Sequence, residues 1–167
     1  MSLPAVCIFQ LILFLYEYLA WQLEIKNLTT HKHYREAVGM NVQFFTVQIN
    51  SLPHLAAAYV YYHRMKRSML LYVPYLMLFT FGQLMSWWLP YFFRIGFWYL
   101  DGTGEKLRQY QQYHAHYHRI LPRFKNHEII PDTEHTILIV LTCITVVLTI
   151  RSVYSSRMSS DSKIKAK

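Results

Sequence analysis

The chain has 167 residues, of which 53% are hydrophobic and only 16% are charged, and its net charge is +8. Soluble domains carry about 25% charged residues, so the composition argues against a soluble globular protein. The basic residues lie between or after long apolar blocks, where cations contact anionic lipid headgroups. We therefore expect a membrane protein that lies in a bilayer with anionic headgroups and has no nucleic-acid partner.

Four apolar blocks predict four transmembrane helices. An α-helix rises about 1.5 Å per residue, so about 20 residues cross the hydrocarbon core. The blocks are residues 3–23, 39–62, 69–93 and 136–153. The prediction is an all-α polytopic integral membrane protein, with a four-helix transmembrane bundle in one domain, residues 1–154. A disordered basic tail, residues 155–167, is expected to follow.

The first block contains Glu17, the only acidic residue well inside any block. An ionisable group in hydrocarbon costs about 2.5–3.5 kcal/mol on insertion scales unless it faces protein or water. We therefore expect Glu17 to point into the bundle. The alternatives are a position near the headgroups or protonation against a neighbouring helix.

The second block is the least apolar, and its polar side chains fall on two helix faces. Asn41 and Gln48 share one face, and Gln43, Asn50 and His54 share the opposite one. A helix with two polar faces is expected at the centre of the bundle, although a re-entrant or interfacial helix would show the same pattern. Pro53 should kink this helix, because it removes a backbone hydrogen bond near Ile49.

The third block contributes Gln83 and ends in a cluster of aromatic residues around Pro90, a composition typical of a membrane–water boundary. A polar network inside the bundle is predicted from five side chains: Glu17, Gln48, Asn50, His54 and Gln83. Functionally, it would be a proton or substrate site. Structurally, it would be interhelical hydrogen bonding worth about 0.6 kcal/mol per contact.

The loop after the third block contains an amphipathic pattern. Apolar and tyrosine side chains recur at spacings of three and four, which predicts an interfacial helix over residues 105–121 between spans three and four. These residues are Leu107, Tyr110, Tyr113, Tyr117, Ile120 and Leu121. The tyrosines would lie at the level of the headgroups.

Three histidines, His114, His116 and His118, lie in this segment. On a helix His114 and His118 would share a face and would be candidate ligands for one metal ion, with His116 on the other side. Membrane di-iron oxygenases use such histidine boxes, but no second box occurs here. The alternative is an interfacial, pH-responsive patch, because histidine titrates near pH 6.5. No other cofactor is predicted.

Several short motifs give the second half of the chain a resemblance to small bacterial polytopic membrane proteins of unknown role. They are Trp87-Trp88-x-Pro90-Tyr-Phe-Phe93, Glu105-Lys106, Ile120-Leu-Pro122 and Pro131-Asp-Thr-x-His135. None is a catalytic signature. The resemblance implies a multi-pass protein of a bacterial cell membrane and adds no chemistry.

The leading functional hypothesis is a non-enzymatic accessory, sensor or partner-binding component, with another membrane protein or a second copy as partner. The alternative is a membrane-embedded enzyme or small transporter that uses Glu17 and His54, or the histidine cluster. Membrane orientation is not decided by charge, because with the N-terminus inside the two sides carry eight and nine basic residues.

Overall fold

The computed structural model describes residues 4–25, 36 and 39–165, with side chains described as far as residue 155. Leu3 at the start of the first predicted span, and residues 166–167 of the predicted tail, lie outside the described residues. The described chain is all-helical. Its elements are α1 (Ala5–Gln22), α2 (Met40–Tyr62), α3 (Lys66–Gln83), a π-helical turn (Leu84–Trp88), α4 (Leu89–Phe93), a 3₁₀ turn (Phe97–Tyr99), α5 (Glu105–Tyr113) and α6 (Thr133–Lys165).

Within the described part of the chain, three segments are long and apolar enough to cross a membrane: Ala5–Gln22, Lys66–Phe93 and Thr133–Ser155. The second joins α3, the π-helical turn and α4 into 28 continuous residues. Helix α2 is also long enough to cross a membrane, at 23 residues, but its mean hydropathy is lower than that of these three segments. The all-helical class and the membrane-protein character of the sequence are thus supported by three helices.

The helix packing places polar side chains inside and apolar ones outside. Buried polar residues include Gln10, Glu17, Gln43, Ser51, His54, Gln83, Thr142, Thr145 and Thr149. Large apolar side chains such as Phe45, Leu71 and Leu78 are 63%, 74% and 70% exposed. A soluble protein rarely exposes apolar surface on this scale, whereas lipid solvates it. Among the pairings, α1 packs on α2 and α6, and α3 packs on α2 and α6.

Pro53 and Pro90 each leave a backbone carbonyl without its helical donor, and an aromatic side chain donates a hydrogen bond to each of these carbonyls. Pro53 cannot donate to the Ile49 carbonyl one turn earlier, and the Tyr75 hydroxyl donates to that oxygen at 3.1 Å. Pro90 likewise cannot donate to Ser86, and the Trp98 indole N–H donates to the Ser86 carbonyl at 2.7 Å. The expected loss at Ile49 is therefore compensated by a neighbouring helix, as is common in membrane proteins.

The predicted interfacial helix over residues 105–121 is wrong in its extent, because α5 ends at Tyr113. After it the chain turns, and the His114 carbonyl accepts a hydrogen bond from the Arg119 guanidinium at 2.9 Å. The backbone N–H of Thr133 then donates to the His118 carbonyl at 2.8 Å. These tertiary bonds replace the helical ones that the spacing alone predicted.

The tyrosines of this segment are also placed differently from the prediction. Tyr110 is 1% exposed and Tyr117 is 7% exposed, so both pack against protein and not at the headgroups. The Tyr110 hydroxyl donates to the Ile130 carbonyl at 2.9 Å and accepts from the Ile130 N–H at 3.2 Å. Helix α5 is therefore fastened to the end of the loop, just before α6.

The predicted disordered tail is also different in the structure. Helix α6 continues from Thr133 to Lys165, across residues 155–165, where a disordered chain was expected. Lys is a good helix former and Ser a moderate one, and a helix already formed extends by one hydrogen bond per residue without a new nucleation step.

Candidate intramembrane polar site

A cavity of about 290 Å³ lies between the helices, toward the end of the bundle that carries the long loop. We call it the polar chamber. Its lining comes from α1, α2, α3, the π-helical turn and α6. The lining residues are Glu17, Trp21, Asn50, Leu78, Phe79, Gly82, Gln83, Ser86, Trp87, Glu134, His135 and Leu138.

Glu17 is fixed in the polar chamber by its neighbours on α1 and α2. The side chains of Trp21, one turn later, and of Asn50 both hydrogen-bond its carboxyl group. Glu17 is only 4% exposed, so the expectation that it points into the bundle is confirmed. The next residue back, Tyr16, donates its hydroxyl to the Glu134 carbonyl at 2.9 Å and so ties α1 to the start of α6.

Gln83 brings an amide to the same chamber from the end of α3. Its Nε2 donates to Thr142 Oγ1 of α6 at 3.0 Å. Its Oε1 is buried and has no hydrogen-bond partner among the described residues. A buried acceptor of this kind normally finds a donor, so the Gln83 carbonyl is available to a polar group inside the chamber.

Asp132 holds His135 at the chamber, and the two residues lie at the start of helix α6. The ring Nδ1 of His135 lies 2.8 and 2.9 Å from the two carboxylate oxygens of Asp132. The same carboxylate accepts the backbone N–H of His135 at 2.8 Å, which makes Asp132 the N-cap of the helix. The Trp87 ring covers the imidazole, with centroids 3.9 Å apart.

Asp132 keeps its charge in this site although it is buried. Burial by itself disfavours ionisation, but the attraction and the hydrogen bonds of His135 outweigh it, and the pKa of Asp132 lies below its usual value. The carboxylate therefore stays ionised over the whole physiological range. It holds the orientation of the imidazole that lines the chamber.

The structure brings three of the five predicted network residues together. Glu17, Asn50 and Gln83 line the polar chamber, whereas Gln48 and His54 do not. His54 is fully buried, as expected, but it lies between α2 and α3 with its Nδ1 2.7 Å from the Tyr72 hydroxyl. Gln48 is half-buried elsewhere on α2. The single network of five residues is thus divided.

Sequence reasoning missed Glu134, His135 and Asp132. All three residues precede the fourth block, which was expected to begin at residue 136. One local signal was present: an aspartate directly before a long apolar run is typical of a helix N-cap. Starting the helix at residue 133 would have put Glu134 and His135 on its first turn.

The histidine cluster does not form the predicted pair on a helix. Helix α5 ends before His114, so the premise that His114 and His118 share a helical face is wrong. His114 is buried and its Nδ1 lies 3.0 Å from the Tyr110 carbonyl, while His118 is exposed and its Nδ1 lies 2.7 Å from Thr133 Oγ1. His116 is exposed. Within the described ranges, no three His, Cys, Asp or Glu side chains are arranged to hold a metal ion.

Replacing Asp132 by Asn should destabilise the fold by about 1–2 kcal/mol. The amide oxygen keeps an acceptor for the N-cap bond, but the charge-assisted bond to His135 is lost, and such bonds contribute about 1.5–3 kcal/mol. Asp132→Ala, which removes the cap as well, should cost more. The free energy of unfolding from titration with SDS in mixed micelles measures both, and equal losses for the two variants would contradict separate roles.

Comparisons with protein-family models, with curated proteins and with solved structures found no match. The resemblance to small bacterial polytopic membrane proteins therefore stays a prediction. Any function must be argued from the polar chamber itself.

Proposed function

We propose that the protein is a four-span membrane protein whose polar chamber binds a small organic cation, in the role of a sensor or accessory component. The fourth span is α2. Its outward side chains Phe44, Phe45 and Ile49 are each 60% exposed or more, while Gln43, Ser51 and His54 are buried. Its low average hydropathy therefore comes from a polar inner face, and the outer face is as apolar as those of the other spans.

The charge of the polar chamber supports a cationic ligand. Glu17 and Glu134 line it, Asp132 stands behind His135, and the lining described contains no Lys or Arg. Two carboxyl groups therefore line the chamber, and a third, that of Asp132, is paired with His135. Acidic groups inside a membrane are costly and usually mark a substrate or ion site, since a bound cation offsets the cost. This accumulation of acidic groups around one chamber is the observation that carries the proposal.

The walls and the volume favour a small organic ammonium group. Trp21 and Phe79 line the chamber, and aromatic faces attract cations. Gln83 Oε1 adds an acceptor for an N–H group. Ligand sites usually measure about 300–1,000 Å³, and the chamber, at about 290 Å³, lies at the lower end of that range. A molecule of only a few carbon atoms would fit.

The site also suggests one enzymatic alternative, in which His135 would act as a base oriented by Asp132. Among the described residues, no hydrogen bond joins His135 to the hydroxyl of Ser86, the serine of the chamber lining, so the arrangement shows no nucleophile–base pair. A binding role needs only the observed charges and volume. We therefore favour the binding component over the enzyme.

Ligand binding can be measured with ethylammonium and tetramethylammonium as probes of the purified protein in neutral detergent. Trp21 and Trp87 line the chamber, so occupancy should change the intrinsic tryptophan fluorescence. Glu17→Gln should weaken the apparent affinity at least tenfold, about 1.4 kcal/mol, because it removes an acidic side chain that lines the chamber.

Glu105→Gln is the matched control, because it removes one carboxylate that is exposed on α5, far along the chain from the chamber. Its affinity should stay within about twofold of the wild type. If neither probe alters the fluorescence, or if both variants behave alike, the cation-binding proposal fails. Competition by Na⁺ that also depends on Glu17 would reassign the chamber to an inorganic ion.

A further inference from the structure

A second cavity, of about 370 Å³, lies at the opposite end of the bundle from the polar chamber. The start of α1, the turn between α2 and α3, and the final turns of the α6 span surround it. Buried Tyr61 and Met69 form its floor, while Arg64, Lys66, Ser152 and Ser155 are on its rim. We call it the basic pocket. Its described lining has two cations, three hydroxyl groups and no carboxylate.

We infer that the basic pocket binds a phosphate group, either of an anionic lipid headgroup or of a free phosphate. A basic pocket between transmembrane helices, at the level where a span ends, has the charge and the depth that a phosphate-bearing headgroup requires. Arg64 offers a planar set of N–H donors and Lys66 a compact ammonium group. Ser152 and Ser155, three residues apart on α6, add hydroxyl donors.

The backbone around the basic pocket adds to its positive character. Helix α1 begins immediately after Pro4 and α3 begins at Lys66, and both residues line the pocket. Helix N-termini carry partial positive charge from their first N–H groups. The negative end of α2 is already engaged, since the N–H groups of Arg64 and Met65 donate to the carbonyls of Tyr61 and Val60 at 3.2 and 3.0 Å.

This turn is a Schellman motif with an arginine at the position that glycine normally occupies. Arg64 has φ +52°, a left-handed conformation that costs a non-glycine residue about 1–2 kcal/mol. Glycine would form the same turn without that cost. Arg64→Gly therefore removes the cation while keeping the backbone, which separates phosphate binding from folding.

The test uses full-length protein in neutral detergent, titrated with dihexanoylphosphatidylglycerol, dihexanoylphosphatidylcholine or inorganic phosphate. A ligand of the folded state raises the unfolding temperature in a concentration-dependent way, from which an apparent dissociation constant follows. We expect the anionic lipid to stabilise the wild type and the net-neutral lipid to have little effect. Inorganic phosphate acting as strongly as the lipid would identify a free phosphate as the source.

The double variant Arg64→Gly, Lys66→Gln should weaken binding roughly 25-fold, since each cation near an anionic headgroup contributes on the order of fivefold. Arg67→Gln is the matched control: it removes one charge from the same turn but does not line the pocket. It should change binding less than twofold. If the lipid were attracted only generally to the basic turn, Arg64→Gly and Arg67→Gln would lose equal binding affinity, and that result would overturn the inference. The absence of stabilisation by either anionic probe would overturn it as well.

Discussion

Gly96→Ala should destabilise the protein by about 3–5 kcal/mol. Gly96 has φ +132°, a conformation open almost only to glycine. A Cβ at this position would lie 2.2 Å from the Met85 carbonyl oxygen and 2.8 Å from Pro90 Cγ, and neither of these groups can move without shifting the helix end. Strain and overpacking therefore add. The free energy of unfolding from SDS titration, or failure to obtain folded protein, measures the effect.

Gly102→Ala is the control for this substitution. Gly102 also has a positive φ, +62°, but a Cβ there would have nothing within 4 Å. Only the backbone cost of about 1–2 kcal/mol remains. If both variants lost the same stability, the close approach of Gly96 to the helix end would not be the cause.

That close approach matters because it returns the chain to the bundle immediately after α4. Arg94, at φ +58°, and Gly96 reverse its direction, so that the Trp98 indole reaches the Ser86 carbonyl. Trp87, Tyr110 and Ile129 then form a buried cluster over the end of the polar chamber. A loss of the turn should therefore also weaken cation binding in the fluorescence assay.

Protonation of His114 should lower the stability of the protein by up to about 3 kcal/mol as the pH falls from 6.5 to 4. Burial lowers the pKa of His114 to about 4, with the nearby His135 acting in the same direction. Its ordinary pKa is about 6.5. Between these two pH values His114 is protonated in the unfolded chain and neutral in the folded protein. The free energy of unfolding therefore decreases by about 1.4 kcal/mol for each unit by which the pH is lowered. Above pH 6.5 the group contributes no pH dependence.

His114→Phe should remove this part of the pH dependence while keeping a ring among Trp87, Trp98, Tyr110 and Tyr117. The variant should lose about 1 kcal/mol at neutral pH, because the bond to the Tyr110 carbonyl is lost. The charged groups that face His114 are Asp132, His135 and Arg119, and all remain in the variant. Parallel pH profiles for wild type and variant would show that another group is responsible.

The histidine segment illustrates why a spacing pattern can mislead. Leu107, Tyr110, Tyr113 and Tyr117 would share a face on a helix of any length, so periodicity could not locate its end. The end at Tyr113 depends on bonds to distant residues, such as the one from Tyr110 to Ile130. The expectation of a pH-responsive patch at the headgroups assumed exposure, whereas His114 is 5% exposed and resists protonation.

The sequence by itself predicted the membrane environment and the helical class of this protein. Apolar blocks long enough to cross a bilayer predicted an all-helical membrane protein, and the cost of a carboxyl group in hydrocarbon predicted that Glu17 faces inward. These inferences depend on local composition and on one residue's solvation, so no knowledge of neighbours was needed.

Only the tertiary structure decided which polar residues meet. It separated His54 from Glu17 and joined Glu17 to Gln83, Glu134 and His135. The reason is that helix spacing fixes the face on which a side chain lies but not the rotation, depth or partner of that helix. The rotation, depth and partner of each helix depend on how α1 and α3 pack on α6, and these helices are far apart in the chain. The same packing formed the basic pocket, because it brings the start of α1 and residues 152–155 of α6 beside Arg64 and Lys66.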